Sequence, residues 1–71
     1  MNNAMGIELG KKIKGYRRKC GITQEQLAEL IETSYKYIQR IEGKNPPDVR
    51  LTTIVRLAKA LKVKPAELLE F

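Results

Sequence analysis

Four polar side chains in the middle of the chain combine the chemistry needed to read base edges. They form two adjacent pairs one helical turn apart, Tyr35 with Lys36 and Gln39 with Arg40. A guanidinium can pair with two guanine acceptors, an ammonium can do so less rigidly, and a carboxamide matches adenine. A tyrosine could contact a thymine methyl group or a phosphate. The alternative for all four is an ordinary solvated helix face.

The elements around these residues decide which way they face. Ile38 and Ile41 form a thin inward row that predicts a helix over residues 35–42, and this row leaves the polar pairs outward. Thr33 and Ser34 offer a cap for its start, and Gly43 suits its end. Residues 44–48 contain two prolines and are predicted to be a loop.

The preceding segment carries the signals of another helix start. Thr23 is placed as the N-cap, and Gln26 three residues later completes a capping box, so this helix is predicted to begin at Gln24. It should end near residue 31 or 32, which leaves a connection over residues 32–34. Two short helices joined in this way are typical of a helix-turn-helix. The residues predicted to face inward are Leu27, Ala28, Leu30 and Ile31.

Three further helices complete the pattern. The first has an apolar stripe that ends in Cys20, predicted to be a small buried hydrophobe with a reactive or intermolecular thiol as the alternative, and it stops at Gly21. The last begins at Pro65 and reaches the C-terminus. Residues 1–6 are predicted to be a flexible tail before a domain over residues 7–71. Of these three helices, the middle one is predicted over residues 51–61. It should present a broad apolar face formed by Leu51, Ile54, Val55, Leu57, Ala58 and Leu61.

Composition limits the classes of function. The chain has 71 residues, 14 Lys plus Arg against 8 acidic residues, and a net charge of +6, which favours a polyanionic partner over the alternative of solvated faces. With no histidine and one cysteine, neither an internal disulfide, a usual zinc site nor histidine catalysis is expected. We therefore predict no enzyme activity, catalytic residue, metal or cofactor, and no small-molecule ligand. Without a signal or membrane segment, the cytoplasm is expected.

The stretch RRKCGITQEQLAELIETSYKYIQRIE, over residues 17–42, closely resembles the Cro and phage-repressor type of helix-turn-helix, also called the xenobiotic-response-element family. The later stretch LTTIVRLAKALKVKPAELL resembles it too. The resemblance implies an all-α, five-helix, lambda-repressor-like DNA-binding domain whose second and third helices form the helix-turn-helix. One departure concerns Gly43, which follows Glu42 directly where the family more often has one residue between. The path of residues 43–50 is therefore left open.

The resemblance also assigns roles to individual residues. It implies an ion pair between Arg17 and Glu42 that ties the first helix to the end of the third. Lys44 and Asn45 follow the third helix, the recognition helix over residues 35–42, and are candidates for phosphate contacts. Weaker candidates for phosphate contacts are Lys11, Lys14, Arg18 and Lys19. The base-contacting positions implied are Tyr35, Lys36, Gln39 and Arg40, and the positions beside the phosphate backbone are Gln24, Ser34 and Tyr37.

The leading expectation is a small transcriptional regulator that binds a double-stranded DNA operator. A homodimer through the C-terminal helix is one way to use Leu68, Leu69 and Phe71, although these residues could instead close the core of the monomer. The alternative function is a protein-interaction module, such as an antitoxin or partner-dependent regulator. Its contact surface would be the acidic outer face of the second helix, formed by Glu25, Glu29 and Glu32.

Overall fold

The computed structural model describes residues 3–71, and this part of the chain folds into five α-helices without a strand. This architecture confirms the all-α, five-helix fold predicted from the sequence. In chain order the helices are α1 (Ala4–Lys19), α2 (Gln24–Leu30), α3 (Tyr35–Ile41), α4 (Leu51–Ala60) and α5 (Pro65–Leu68).

Helix α1 begins earlier than expected. A flexible tail is predicted over residues 1–6, whereas residues 4–6 form the first turn of α1, and Ile7 N–H donates to Asn3 O at 3.0 Å. Pro46 in the loop before α4 is buried, and a Cβ atom on Gly6 would lie 3.0 Å from Pro46 Cγ. Packing of this first turn on the loop accounts for the longer helix. Met1 and Asn2, the rest of the predicted tail, lie outside the described residues.

Helices α2 and α3 start at side-chain caps. Thr23 Oγ1 accepts a hydrogen bond from Gln26 N–H at 3.0 Å, and Gln26 Oε1 accepts one from Thr23 N–H at 2.8 Å, which completes the predicted capping box. Ser34 Oγ accepts from Tyr37 N–H at 3.1 Å. These caps satisfy backbone donors that a helix cannot satisfy itself. They therefore fix where two helices of only seven residues each begin.

Helices α1, α2 and α4 end in the same motif. Each terminates in a left-handed residue, Gly21 (φ 70), Glu32 (φ 57) or Lys62 (φ 61). The following N–H reaches back to a carbonyl in the last helical turn, as Thr33 N does to Ala28 O at 2.9 Å and Val63 N to Ala58 O at 2.9 Å. This is the Schellman arrangement. Of these three left-handed positions, only the one after α1 is a glycine, which adopts the conformation without strain. The other two positions carry residues with side chains.

The core is made of apolar side chains from all five helices and from the turns after α2 and α4. The predicted inward positions at Leu30, Leu51 and Val55 are wrong, because these side chains are exposed by 59%, 69% and 47%. Each lies off the narrow stripe that its helix buries, since short helices contact the core along one row. The buried apolar residues are Leu9, Ile13, Leu27, Ala28, Ile31, Ile38, Ile41, Ile54, Leu57, Ala58, Leu61 and Leu68.

Cys20 also departs from its predicted place in the core. It is exposed, and its Sγ donates a hydrogen bond to Leu61 O at 3.4 Å. The predicted stripe does not continue to this position because α1 ends at Lys19 and the chain turns at Gly21. Arg17, which is 9% exposed, occupies the inward position at the end of α1 instead.

A glycine sets the distance between α1 and the end of α3. A Cβ atom on Gly10 would lie 2.3 Å from the carbonyl oxygen of Ile41, which is closer than real Cβ atoms come. The backbones can approach this closely only because Gly10 has no side chain. The last turn of α3 is therefore held directly against α1.

Candidate nucleic-acid interface

A short connection fixes α3 relative to α2. It occupies residues 31–34 and includes the left-handed Glu32. Ile38 and Ile41 are both 0% exposed, so one side of α3 is buried in the core. The pair is thus a helix-turn-helix, in which α2 supports α3 and the opposite side of α3 is free to enter a groove.

The free side of α3 presents the four polar residues predicted to face outward, and we call this surface the α3 face: Tyr35, Lys36, Gln39 and Arg40. All four are exposed. Neither the Lys36 ammonium nor the Arg40 guanidinium forms a hydrogen bond or an ion pair with any residue from 3 to 71. Both cationic groups are therefore available to an acceptor-rich or negatively charged partner.

Two members of the α3 face are joined to each other. Gln39 Nε2 donates a hydrogen bond to the Tyr35 hydroxyl at 3.0 Å, across one helical turn. The bond uses one of the two hydrogens of the amide and leaves Oε1 unoccupied. An adenine edge requires one donor and one acceptor, so Gln39 retains the groups needed for that contact.

A partly buried ion pair links α1 to the end of α3. Arg17 Nε donates to Glu42 Oε2 at 2.8 Å, and Arg17 Nη2 donates to Glu42 Oε1 at 3.0 Å. The side chains are 11% and 2% exposed. The hydrogen bonds and charge of Glu42 raise the pKa of Arg17 despite the opposing effect of burial. The contact has the two-pronged geometry that favours arginine over lysine.

Two more groups extend this pair into a network. Gln24 Nε2 donates to Glu42 Oε1 at 3.0 Å, and Arg17 Nη1 donates to Ile22 O at 2.9 Å. The network therefore ties the start of α2 to both α1 and the end of α3. The resemblance implies a phosphate contact for Gln24 but does not predict its hydrogen bond to Glu42. Its second amide hydrogen is still available for a phosphate.

The other predicted phosphate-contacting residues lie at the two ends of α3. Ser34 is exposed and uses its oxygen to cap the helix, which leaves the hydroxyl hydrogen free to donate. Tyr37 is half-buried against the core. Lys44 and Asn45 are exposed in the loop that follows α3. The structure thus places these residues near the two ends of α3.

Sequence reasoning missed the role of two residues in the geometry of this surface, because it did not single out Gly10 and assigned Glu32 only to an acidic outer face. Gly10 sets the position of α3 against α1, and Glu32 makes the left-handed turn before α3. A glycine inside a helical pattern can indicate close packing, but the same signal falls on Gly15, where a Cβ atom would have no neighbour within 4 Å, so the sequence could not distinguish Gly10. No comparable signal marks Glu32, because glutamate is an uncommon residue in this conformation.

The fold and the α3 face together define a helix-turn-helix domain of the kind that places its second helix in the DNA major groove. None of the described helices has the length and apolar character needed to span a membrane. Within residues 3–71, no cluster of three or more cysteine and acidic side chains could hold a metal ion.

Comparison with protein families and known proteins gives the same result. The family model described as helix-turn-helix matches residues 13–68. Control protein C.SmaI from Serratia marcescens is 38% identical over 61 residues, which are 86% of this chain and 71% of that protein. Control protein C.BamHI from Bacillus amyloliquefaciens is 35% identical over 72 aligned positions, covering 100% of this chain and 88% of the relative.

Solved structures agree as well. The restriction-modification controller protein C.AhdI from Aeromonas hydrophila matches with a TM-score of 0.84 and 32% identity, over 92% of this chain and 97% of that one. The hypothetical transcription factor NHTF from Neisseria matches with a TM-score of 0.87 and 27% identity, over 93% of this chain and 75% of that one. The chain belongs to the helix-turn-helix family of the Cro and phage-repressor type. It is a small DNA-binding transcriptional regulator.

Proposed function

We propose that α3 enters the major groove of an operator and that the α3 face reads its bases. The observation that carries this proposal is the free cationic pair, Lys36 and Arg40, on the side of α3 opposite the buried Ile38 and Ile41. Arg40 would pair with a guanine, Gln39 would suit an adenine, and Lys36 would reach a further guanine. Tyr35 would contact a thymine methyl group or hold Gln39 in place.

The phosphate backbone would be contacted on both sides of this helix. Ser34 and Tyr37 lie toward its start, Gln24 at the start of α2 lies beside Glu42 at its end, and Lys44 and Asn45 follow its end. Such contacts fix the orientation of the protein on the duplex and carry no sequence information themselves. They would position the α3 face over the bases.

The genes under control are suggested by the names of the relatives. C.AhdI is a restriction-modification controller, and C.SmaI and C.BamHI are control proteins. We propose that this chain, too, controls the genes of a restriction-modification system. Because a regulator of transcription works where the chromosome lies, its location would be the cytoplasm. It would act through DNA binding, without catalysis.

A homodimer would allow the domain to occupy two half-sites. A single domain of this size buries little DNA surface, and helix-turn-helix dimers place two recognition helices about 34 to 36 Å apart. Leu68 is 0% exposed and closes the core, whereas Leu69 and Phe71 are 44% and 53% exposed. We propose that these last two residues contribute to the dimer contact. Sedimentation of the wild type and of a Leu69→Ser, Phe71→Ser variant would test it: the variant should be monomeric at concentrations where the wild type is a dimer.

The main test is selection of DNA from a random duplex pool by the purified protein. The wild type should enrich one motif, and Arg40→Ala should relax it at one base pair, with a loss of about 1 to 3 kcal/mol of discrimination. Lys59→Ala removes an exposed cation from α4 and serves as the matched control, which should retain the motif. Failure of the wild type to enrich any motif would contradict the proposal.

The second candidate function is a protein-interaction module. The observation in its favour is the exposed Leu30, 59% accessible, beside the acidic Glu29 on α2. A partner could bury this leucine. The selection from random duplexes also distinguishes the two functions. A protein-interaction module would enrich no DNA motif, whereas a regulator would enrich one.

A further inference from the structure

A groove runs along the junction between α1 and the end of α3. It encloses about 350 Å³ and opens to solvent beside the loop that follows the recognition helix. The close contact between Gly10 and Ile41 brings the two helices together here. The residues that line the groove are Ile7, Lys11, Lys14, Glu42, Gly43 and Lys44.

The charge available in this groove is positive. Its one carboxylate, on Glu42, is 2% exposed and already accepts hydrogen bonds from Arg17 and Gln24. Lys11 makes only an exposed pair with Glu8, at 3.4 Å. Lys14 and Lys44 have no ion pair with any residue from 3 to 71. An anion entering the groove would therefore meet three ammonium groups and no competing exposed acid among the lining residues.

The opposite side of α1 is arranged differently. Lys19 lies over the Tyr16 ring, 5.4 Å from its centroid. Lys12 and Lys19 line a separate depression together with Glu8 and Lys11, which pair with each other, so Lys11 borders both this depression and the groove. The sequence offered four cations of the first helix as weak phosphate candidates. The structure separates them, because only Lys11 and Lys14 border the end of the recognition helix.

We propose that Lys11 and Lys14 of α1, together with Lys44, form a binding site for the phosphodiester backbone of DNA. This inference rests on the proposed DNA binding through α3. The spacing of three residues places the two lysines on one face of α1, and Lys44 continues that surface at the C-terminal end of α3. The groove is open and its lysines are not enclosed, which suits an extended backbone rather than a small free anion. Lys11 and Lys14 thereby anchor the DNA strand that passes the end of α3.

The test compares how salt affects DNA binding by two double variants. Each phosphate contact contributes about −0.9 to the slope of log K against log salt for duplex DNA. Lys11→Ala, Lys14→Ala should reduce the magnitude of the wild-type slope by about 1 to 2. It should weaken binding to the selected motif and to random duplex by the same factor. Lys12→Ala, Lys19→Ala removes the same charge from the other side of α1 and should leave the slope close to that of the wild type.

Each outcome bears on the proposal. An unchanged slope for Lys11→Ala, Lys14→Ala, in a wild type that binds its motif, overturns this site and leaves the function of α3 intact. Equal reductions in both double variants also overturn it, because they indicate general charge attraction. If the wild type selects no motif but the slopes still differ as expected, the proposed operator reading fails and the α1 site remains. Inorganic phosphate, titrated at constant ionic strength, should not displace the duplex, and displacement would assign the groove to a free anion instead.

Discussion

The Tyr35 hydroxyl accepts a hydrogen bond from Gln39 Nε2 at 3.0 Å, so one proposed base-reading side chain orients another. The bond spans one turn of a helix whose far side is fully buried. A glutamine on an exposed surface otherwise has many rotamers to lose when it binds a base. Part of that entropy is already lost in the free protein.

Removing this hydroxyl should change DNA reading without changing the fold. We expect Tyr35→Phe to keep the free energy of unfolding within about 0.5 kcal/mol, because both side chains are exposed. Binding to the preferred operator should weaken by about 0.5 to 1.5 kcal/mol, with the loss confined to the base pair that Gln39 contacts. Binding measured in a Gln39→Ala background provides the control, since there Tyr35→Phe should have a smaller effect. Equal effects in the two backgrounds would show that the tyrosine acts independently.

Loss of the Glu42 carboxylate should affect stability first. Glu42→Ala would leave Arg17 buried without its partner, and breaking a buried ion pair in this way costs about 3 to 5 kcal/mol. A domain of this length has a total stability of only about 4 to 11 kcal/mol. We therefore expect a large drop in melting temperature or loss of folding, measured by circular dichroism. Arg17→Lys should lose less, and a Glu42→Ala melting curve that overlays the wild type would refute the assigned role.

Two glycines of α1 should respond in opposite ways to the same substitution. Gly10→Ala would force a methyl group against the Ile41 carbonyl, and overpacking of this kind costs about 1 to 3 kcal/mol. A Cβ atom on Gly15 would have no neighbour within 4 Å, so Gly15→Ala should stabilise α1 by up to about 1 kcal/mol. Chemical denaturation of both variants measures the difference. Stabilisation by both substitutions would mean that α1 and α3 are not closely packed.

The left-handed turn before α3 offers a stabilising change. A residue with a side chain loses about 1 to 2 kcal/mol in this conformation, while glycine adds about 0.4 to 1 kcal/mol of freedom to the unfolded chain. Glu32→Gly should therefore raise the free energy of unfolding by up to about 1 kcal/mol. That gain corresponds to a rise of about 4 to 8 °C in melting temperature for a domain of this size. Gly21→Ala, at the equivalent turn after α1, should destabilise, and loss of stability in Glu32→Gly would contradict the strain assigned to this turn.

The helices could be predicted because their signals are local. The capping box at Thr23, the cap at Ser34 and Pro65 at the start of α5 each depend on residues a few positions apart. Hydrophobic spacing then identified most of the buried row of each helix. The outward direction of the α3 face followed from Ile38 and Ile41 in the same way.

What could not be predicted depends on contacts between distant segments. Residues 4–6 join α1 because the loop at Pro46 packs against Gly6, far away in the chain. Cys20 and Leu30 have apolar character that suits the core, but the core is already filled by residues nearer the centre of each stripe. The bond from Gln24 to Glu42 depends on how α2 meets the end of α3. The spacing of residues along one helix contains no information about contacts between helices.

The buried side of α3 packs in the core and its exposed side is free to contact DNA, and this separation of roles has an evolutionary consequence. Ile38 and Ile41 hold the seven-residue helix in its pose, and the side chains that would meet DNA contribute nothing to the core. Mutations at the outer positions can therefore accumulate without threatening the scaffold. Related regulators could acquire new operators while keeping one fold, and exchanging only these outer residues offers a direct way to retarget the protein.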